Sequence, residues 1–147
     1  MSNTVITISR QYGSGGRELS EILAKKLGVK LYDRQIIHMA AAMLGIGDLT
    51  DESLRELENK VLPLSSAFMP FYSFGSHAGP NVNTELFLAE SKVIHQLVND
   101  GPCVILGRCA DYILSEQENH YSFFIYADDD YRASRGKTTY AGKSLKE

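Results

Sequence analysis

Residues 4–18, TVITISRQYGSGGRE, limit what this chain can become more than any other stretch. An apolar run from Val5 to Ile8 leads through Ser9, Arg10, Gln11 and Tyr12 into Gly13, Ser14, Gly15, Gly16 and Arg17, and a helical pattern begins at once. Strand, glycine turn and helix start, in that order, form an anion-binding arrangement. Glycine lets backbone N–H groups turn inward and approach a ligand closely. The first helical turn adds unsatisfied N–H groups and a partial positive charge. The same GSGGR also fits a plain strand–helix turn with an exposed arginine.

The rest of the chain builds a sheet around that turn. Residues 5–9 read as a buried strand whose weak alternation suits a sheet covered on both faces. Residues 17–27 read as a helix, with Leu19, Ile22, Leu23, Ala24 and Leu27 near helical spacing and Gly28 as its stop. A second strand at 29–32 precedes Asp33, which stands as N-cap to a helix over 34–44 that Gly45 ends. A helix over 48–62 closes at Pro63. Residues 63–83 carry Pro63, Pro70, Pro80 and four aromatics without a period, the composition of a lid, a binding loop or disorder. Residues 84–99 form an amphipathic helix with Leu86, Phe87, Ala89, Val93, Ile94, Leu97 and Val98 on its apolar side. Strands at 103–106 and 121–126 follow, with a short helix over 110–114 between them and a last helix opened by Ala127, Asp128 and Asp129. Alternating strands and helices predict an α/β fold: three-layer α/β/α with a parallel sheet.

Composition narrows the function. A length of 147 residues fits one domain with a real core, and 44% hydrophobic with 22% charged residues is ordinary globular composition. The formal net charge of −3 lacks the basic footprint of a nucleic-acid binder, so a nucleic-acid polymer is not an expected partner. Residues 131–147 are locally basic, with Arg132, Arg135, Lys137, Lys143 and Lys146 against Glu147, which suits an anionic small ligand or a solvated tail. Cys103 and Cys109 have neither metal-site nor disulfide-framework spacing. No leader, lipidation motif or apolar run of membrane length is read, so no membrane partner is expected and a reduced cytoplasm is the expected location. Metal ligands and oligomeric state are not assigned from sequence.

Four places carry candidate chemistry. At the glycine turn, the common phosphate-loop pattern is GxxxxGK[ST], whose lysine reaches the terminal phosphates and whose hydroxyl holds Mg²⁺. With Gly15 as its second glycine, Arg10 stands at the first glycine position and Gly16 at the lysine position. Shifted by one, Arg17 takes the lysine position and Glu18 the hydroxyl position, and a guanidinium there can supply the cation. The second place is Gly107–Arg108–Cys109–Ala110–Asp111 at a strand's C-terminal end, the edge where open parallel sheets bind ligands. Arg108 there can grip a phosphate with two parallel hydrogen bonds, and Asp111 can accept from a base or orient Arg108. A local ion pair reads equally well. Third, Arg34 follows Asp33 at a helix start, an unfavourable place for a cation unless an anion is near. Fourth, Arg132 and Arg135 lie one turn apart on one helical face, as a clamp on phosphate oxygens or as a solvated basic face. The four histidines form no cluster and read as structural.

Taken together, ITISRQYGSGGRELSEILAKKLG, YDRQIIHMAA, CVILGRCADYIL and FFIYADDDYRASR resemble the cytidylate kinase-like family, within the nucleoside monophosphate kinases of the P-loop fold. They span residues 6–135 in the family's order. The resemblance implies a P-loop kinase core that moves phosphate from ATP to CMP or dCMP with Mg²⁺. In that light Gly13, Ser14, Gly15, Gly16 and Arg17 resemble the ATP phosphate loop. Asp33, Arg34, Arg108 and Asp111 resemble the acceptor side, and Arg17, Arg132 and Arg135 the groups on the transferring phosphoryl. The chain is expected to be one domain over 1–147, with 45–83 an acceptor-binding insertion and 128–147 part of a lid, shortened at its C-terminus relative to the family. Family phosphate loops read Gly-Lys-Gly-Thr where this chain has Gly15-Gly16-Arg17-Glu18, and Leu106 replaces an aspartate before the Gly-Arg. Two other readings therefore stand beside a nucleotide kinase: a nucleotide-binding module without kinase activity, and a P-loop kinase for a non-nucleotide acceptor.

Overall fold

The computed structural model describes residues 3–45 and 82–139. The expected helix over 48–62, the aperiodic stretch up to residue 81 and the tail from residue 140 lie outside them. The elements run β1 (Val5–Arg10), α1 (Gly16–Leu27), β2 (Lys30–Tyr32), α2 (Gln35–Met43), α3 (Val82–Asp100), β3 (Cys103–Leu106), α4 (Ala110–Ile113), β4 (His120–Ile125) and α5 (Asp129–Thr139). The four strands form one sheet in the order β2-β3-β1-β4, every pair parallel. This is the expected α/β fold with a parallel sheet.

The register explains the core. Ile6 pairs with Val104 and Ile8 with Leu106, so these four share one face of the sheet. Leu31 joins them through its pairing with Val104. Ala24 and Leu23 of α1 cover that face, with Val29 and Ile125 at its margins. On the opposite face Val5, Thr7, Cys103 and Ile105 are equally buried. Both faces of β1 and β3 are thus covered, which is why their sequences read as continuous apolar runs. The buried Thr7 hydroxyl is satisfied by His120, with Oγ1 2.7 Å from Nε2. The β1–α1–β2 and β3–α4–β4 connections run in opposite directions across the sheet, and the right-handed rule for such crossovers assigns α1 and α4 to opposite faces.

Four sequence expectations are corrected. Helix α1 buries Gly16, Ser20 and Ala24, not the large residues: Leu19, Ile22 and Leu27 are 45%, 56% and 51% exposed. Small side chains let the helix backbone lie close to the sheet, and the Ser20 hydroxyl donates to the Gly16 carbonyl at 2.7 Å, so it is buried without an orphaned donor. On α3, Phe87 is 37% exposed while Glu90 is buried. Helix α2 begins at Gln35, one residue later than expected, and the Asp33 carboxylate before it engages Arg17. His120, expected in a loop, opens β4.

The chain divides into two compact units, residues 1–34 with 94–147, and residues 35–93. The first holds the whole sheet, α1, α4 and α5, and contains every candidate site residue. The second holds α2, which buries Ile36, Ile37, Ala40 and Ala41.

Candidate functional site

Because all four strands are parallel, their C-terminal ends share one edge of the sheet. The β1–α1 loop lies at that edge. Its glycines are there for backbone reasons: Gly13 and Gly15 have φ of +77° and +83°, the left-handed region that side chains disfavour. Gly15 is the N-cap of α1 and supplies no side-chain cap. The first N–H groups of the helix therefore lack the usual side-chain acceptor. Ser14 is only 9% exposed, and its Oγ has no hydrogen-bond partner among the described residues. A buried, unpartnered hydroxyl beside an uncapped helix start is the donor set that an anion completes.

The other strand ends close on this loop. From the end of β4, the Gln11 amide donates to the Ile125 carbonyl at 2.9 Å, and the Ala127 amide donates to Gln11 Oε1 at 3.3 Å. Helix α5 then rests against the glycines. A Cβ on Gly13 would sit 2.6 Å from the Arg132 carbonyl oxygen. The Arg132 guanidinium pairs with Asp129 and donates to the carbonyls of Ala127 (3.1 Å) and Tyr12 (3.4 Å). Arg135 forms an ion pair with Glu18 in the first turn of α1, lies 5.8 Å from the Tyr131 ring centroid, and passes the Cα of Gly15. Arg132 and Arg135 thus both reach the loop, one mainly through its backbone and one through its guanidinium.

From β2 comes Asp33, whose Oδ2 lies 3.3 Å from Arg17 Nη2; Glu21, one turn along α1, adds an oxygen 3.5 Å from Arg17 Nε. Arg17 and Asp33, placed on donor and acceptor sides by the sequence, are direct partners. At the end of β3 the backbone is unusual. Gly107, Arg108 and Cys109 follow one another with φ of +72°, +61° and +52°. Two consecutive non-glycine residues in the left-handed region mark stored strain, the kind found at ligand clamps. Asp111 lies in the first turn of α4 just beyond, and Arg34 just beyond Asp33. Both sit on the same sheet edge by chain position, and no described contact joins them to the loop.

Two residues were not picked out as site residues by their motif. By motif Glu18 only replaces a hydroxyl. Its Oε2 is buried and has no hydrogen-bond partner among the described residues, while Oε1 holds Arg135. By motif Arg10 only stands at a glycine position. Its side chain runs across the loop: a Cβ on Gly16 would meet Arg10 Cβ at 2.6 Å and Cγ at 3.0 Å, and a Cβ on Gly107 would meet its Nη1 at 2.5 Å. The signal was in the sequence as three separated anomalies, an arginine and two glycines, with nothing to show that they meet. Among the described residues, no group of three or more His, Cys, Asp or Glu could hold a metal ion, and no helix is long and apolar enough to cross a membrane.

No curated protein matches the chain. Among solved structures, an uncharacterized protein from Eubacterium ventriosum is similar in fold, with a TM-score of 0.59 at 22% identity. The match covers 95% of this chain and 63% of that one, so this chain spans less than two thirds of its structural neighbour. The model of the cytidylate kinase-like family matches residues 5–146, nearly the whole length. The chain therefore belongs to the cytidylate kinase-like family.

Proposed function

We propose that the chain transfers the terminal phosphoryl group of ATP to a nucleoside monophosphate, CMP or dCMP. The observation that carries this reading is the β1–α1 loop, where an uncapped helix start and the buried, unpartnered Ser14 hydroxyl lie beneath Arg132 and Arg135 of α5. Family membership makes nucleotide kinase chemistry the expectation for such a loop. Gly13, Ser14, Gly15, Gly16 and Arg17 then hold the ATP phosphates. Asp33, Arg34, Arg108 and Asp111 hold the acceptor, residues 45–83 form the acceptor insertion, and 128–147 form part of a lid.

The chemistry asks little beyond positioning and charge. An acceptor phosphate oxygen is already largely ionised near neutral pH, since its second pKa is about 6. It attacks the γ-phosphorus in line while the bond to the β–γ bridging oxygen breaks, giving ADP and a nucleoside diphosphate, and no general base is required. Charge building on the transferring oxygens is met by Arg17, Arg132 and Arg135. Mg²⁺ would supply further charge neutralisation on the ATP phosphates. Glu18 fits such an ion: a carboxylate oxygen is a hard donor, its Oε2 is buried and unpartnered among the described residues, and Mg²⁺ is commonly held by one or two carboxylates plus substrate phosphates.

The test is ADP formation from ATP with CMP, dCMP, UMP, AMP and GMP in turn, using the full chain. Turnover fastest with CMP or dCMP is the expected result. ATP binding with no turnover on any acceptor overturns it in favour of a binding module, a reading that Gly16 and Glu18 at the lysine and hydroxyl positions favour. Turnover only with phosphorylatable metabolites other than nucleotides assigns a different acceptor.

A further inference from the structure

We infer that Arg10 is the phosphate-binding cation of this site, taking the terminal phosphates of a nucleoside triphosphate from the end of β1 in place of a loop lysine. The inference rests on the kinase reading above and deepens it. Its first support is geometric. The Arg10 stem lies against the Cα of Gly16, the first residue of α1, and its guanidinium lies against the Cα of Gly107 at the tip of β3. A side chain at either glycine would collide with it, at 2.6 Å from its Cβ or 2.5 Å from its Nη1. In the register that makes Gly15 the second motif glycine, arginine stands where the pattern has glycine and glycine where it has lysine. The charge is thus moved rather than lost: the lysine's space at residue 16 is emptied, and the arginine stem from residue 10 fills it.

The second support comes from the other cations. Arg17 is held by Asp33 and Glu21, Arg132 by Asp129, and Arg135 by Glu18. Arg10 makes no ion pair among the described residues and is exposed at the sheet edge. An uncompensated guanidinium between an uncapped helix start and the strained Gly107–Arg108–Cys109 turn is placed for a phosphate that lies between the two. The buried, unpartnered Ser14 hydroxyl in the intervening loop is an independent sign that a ligand completes this surface.

The experiment is calorimetric binding of ATP and of inorganic tripolyphosphate to the full chain and its variants. Arg10→Ala should weaken both ligands roughly ten- to a hundredfold, the loss expected for a charge-assisted contact. Lys25→Ala, which removes an exposed cation from the far end of α1, should change them by less than about threefold. Gly16→Ala removes no charge but obstructs the Arg10 stem, and should weaken binding in the same direction. Arg10→Gly combined with Gly16→Lys restores the common arrangement and should recover most of the affinity. Circular dichroism checks that each variant is folded, and Arg10→Gln offers a less disruptive variant with the same expected loss. Equal binding by wild type and folded Arg10→Ala or Arg10→Gln overturns the inference while leaving the kinase reading intact. No binding of ATP or tripolyphosphate by the wild-type chain overturns both.

Discussion

Replacing Gly13 by alanine tests the seat of α5 on the β1–α1 loop. Two costs follow from the structure. The first is conformational: φ at Gly13 is +77°, where an L residue costs roughly 1–2 kcal/mol, partly offset by about 0.4–1 kcal/mol from a stiffer unfolded chain. The second is steric. The new Cβ would lie 2.6 Å from the Arg132 carbonyl oxygen and 3.1 Å from its Cα, against 3.4 Å or more for ordinary contact. Those are backbone atoms, so no rotamer change relieves the clash, and α5 must retreat by nearly an ångström. Overpacking of this kind costs typically about 1–3 kcal/mol. Gly28 provides the control. It also has positive φ, at +66°, but a Cβ there meets nothing within 4 Å. Gly28→Ala therefore isolates the first cost and Gly13→Ala carries both. At roughly 2–4 °C per kcal/mol for a chain of this size, Gly13→Ala should melt several degrees below Gly28→Ala. Amide hydrogen exchange locates the damage: protection of α5 near Arg132 and Arg135 should fall in Gly13→Ala and stay unchanged in Gly28→Ala. Equal melting temperatures together with unchanged α5 exchange would refute the contact.

Two further outcomes follow. Burial pushes the Cys103 thiol up from 9.0 to about 11, so above pH 9 the unfolded chain releases a proton that the folded chain keeps. Stability is unaffected by this group below pH 9 and falls by up to about 1.4 kcal/mol per pH unit as pH rises towards 11; denaturant titrations of wild type and Cys103→Val should diverge across that window, and parallel pH profiles would remove the thiol from the account. At the β3 tip, Cys109 holds a φ of +52° that glycine would adopt without strain, so Cys109→Gly should stabilise the fold by about 0.5–1 kcal/mol in the same titration; a loss of stability would show that the Cys109 side chain contributes more than its backbone costs.

The sheet was legible because its physics is local. Val5, Ile8 and the run from Cys103 to Leu106 are apolar where both faces are covered, and each is bounded by turn residues. The face of α1 was not legible from hydrophobicity. Leu19, Ile22 and Leu27 outrank Ser20 and Gly16 on any hydropathy scale, yet close approach to the sheet selects small residues, and only the three-dimensional packing sets that distance. The same limit applies to charge. GSGGR marks the glycine turn and helix start after β1, and Arg132 with Arg135 shows one-face spacing. That Arg17 turns to Asp33, or that Arg10 stretches from Gly16 to Gly107, depends on contacts between segments far apart in the chain. Glutamate at residue 18 looked like a defect in the motif and proves to be the partner of Arg135.

The ion pairs among Arg17, Asp33 and Glu21, between Arg132 and Asp129, and between Arg135 and Glu18 also set how the site responds to ionic strength. A pocket of bare guanidinium groups gathers solution anions, which a phosphate ligand must expel, so its affinity drops steeply as salt is added. Here the protein's own carboxylates already take that place at Arg17, Arg132 and Arg135. A polyphosphate would exchange partners with tethered carboxylates instead of releasing free chloride, and the tethered groups do not become scarcer when the buffer is diluted. Affinity in this site should therefore vary with salt much less than its number of arginines suggests.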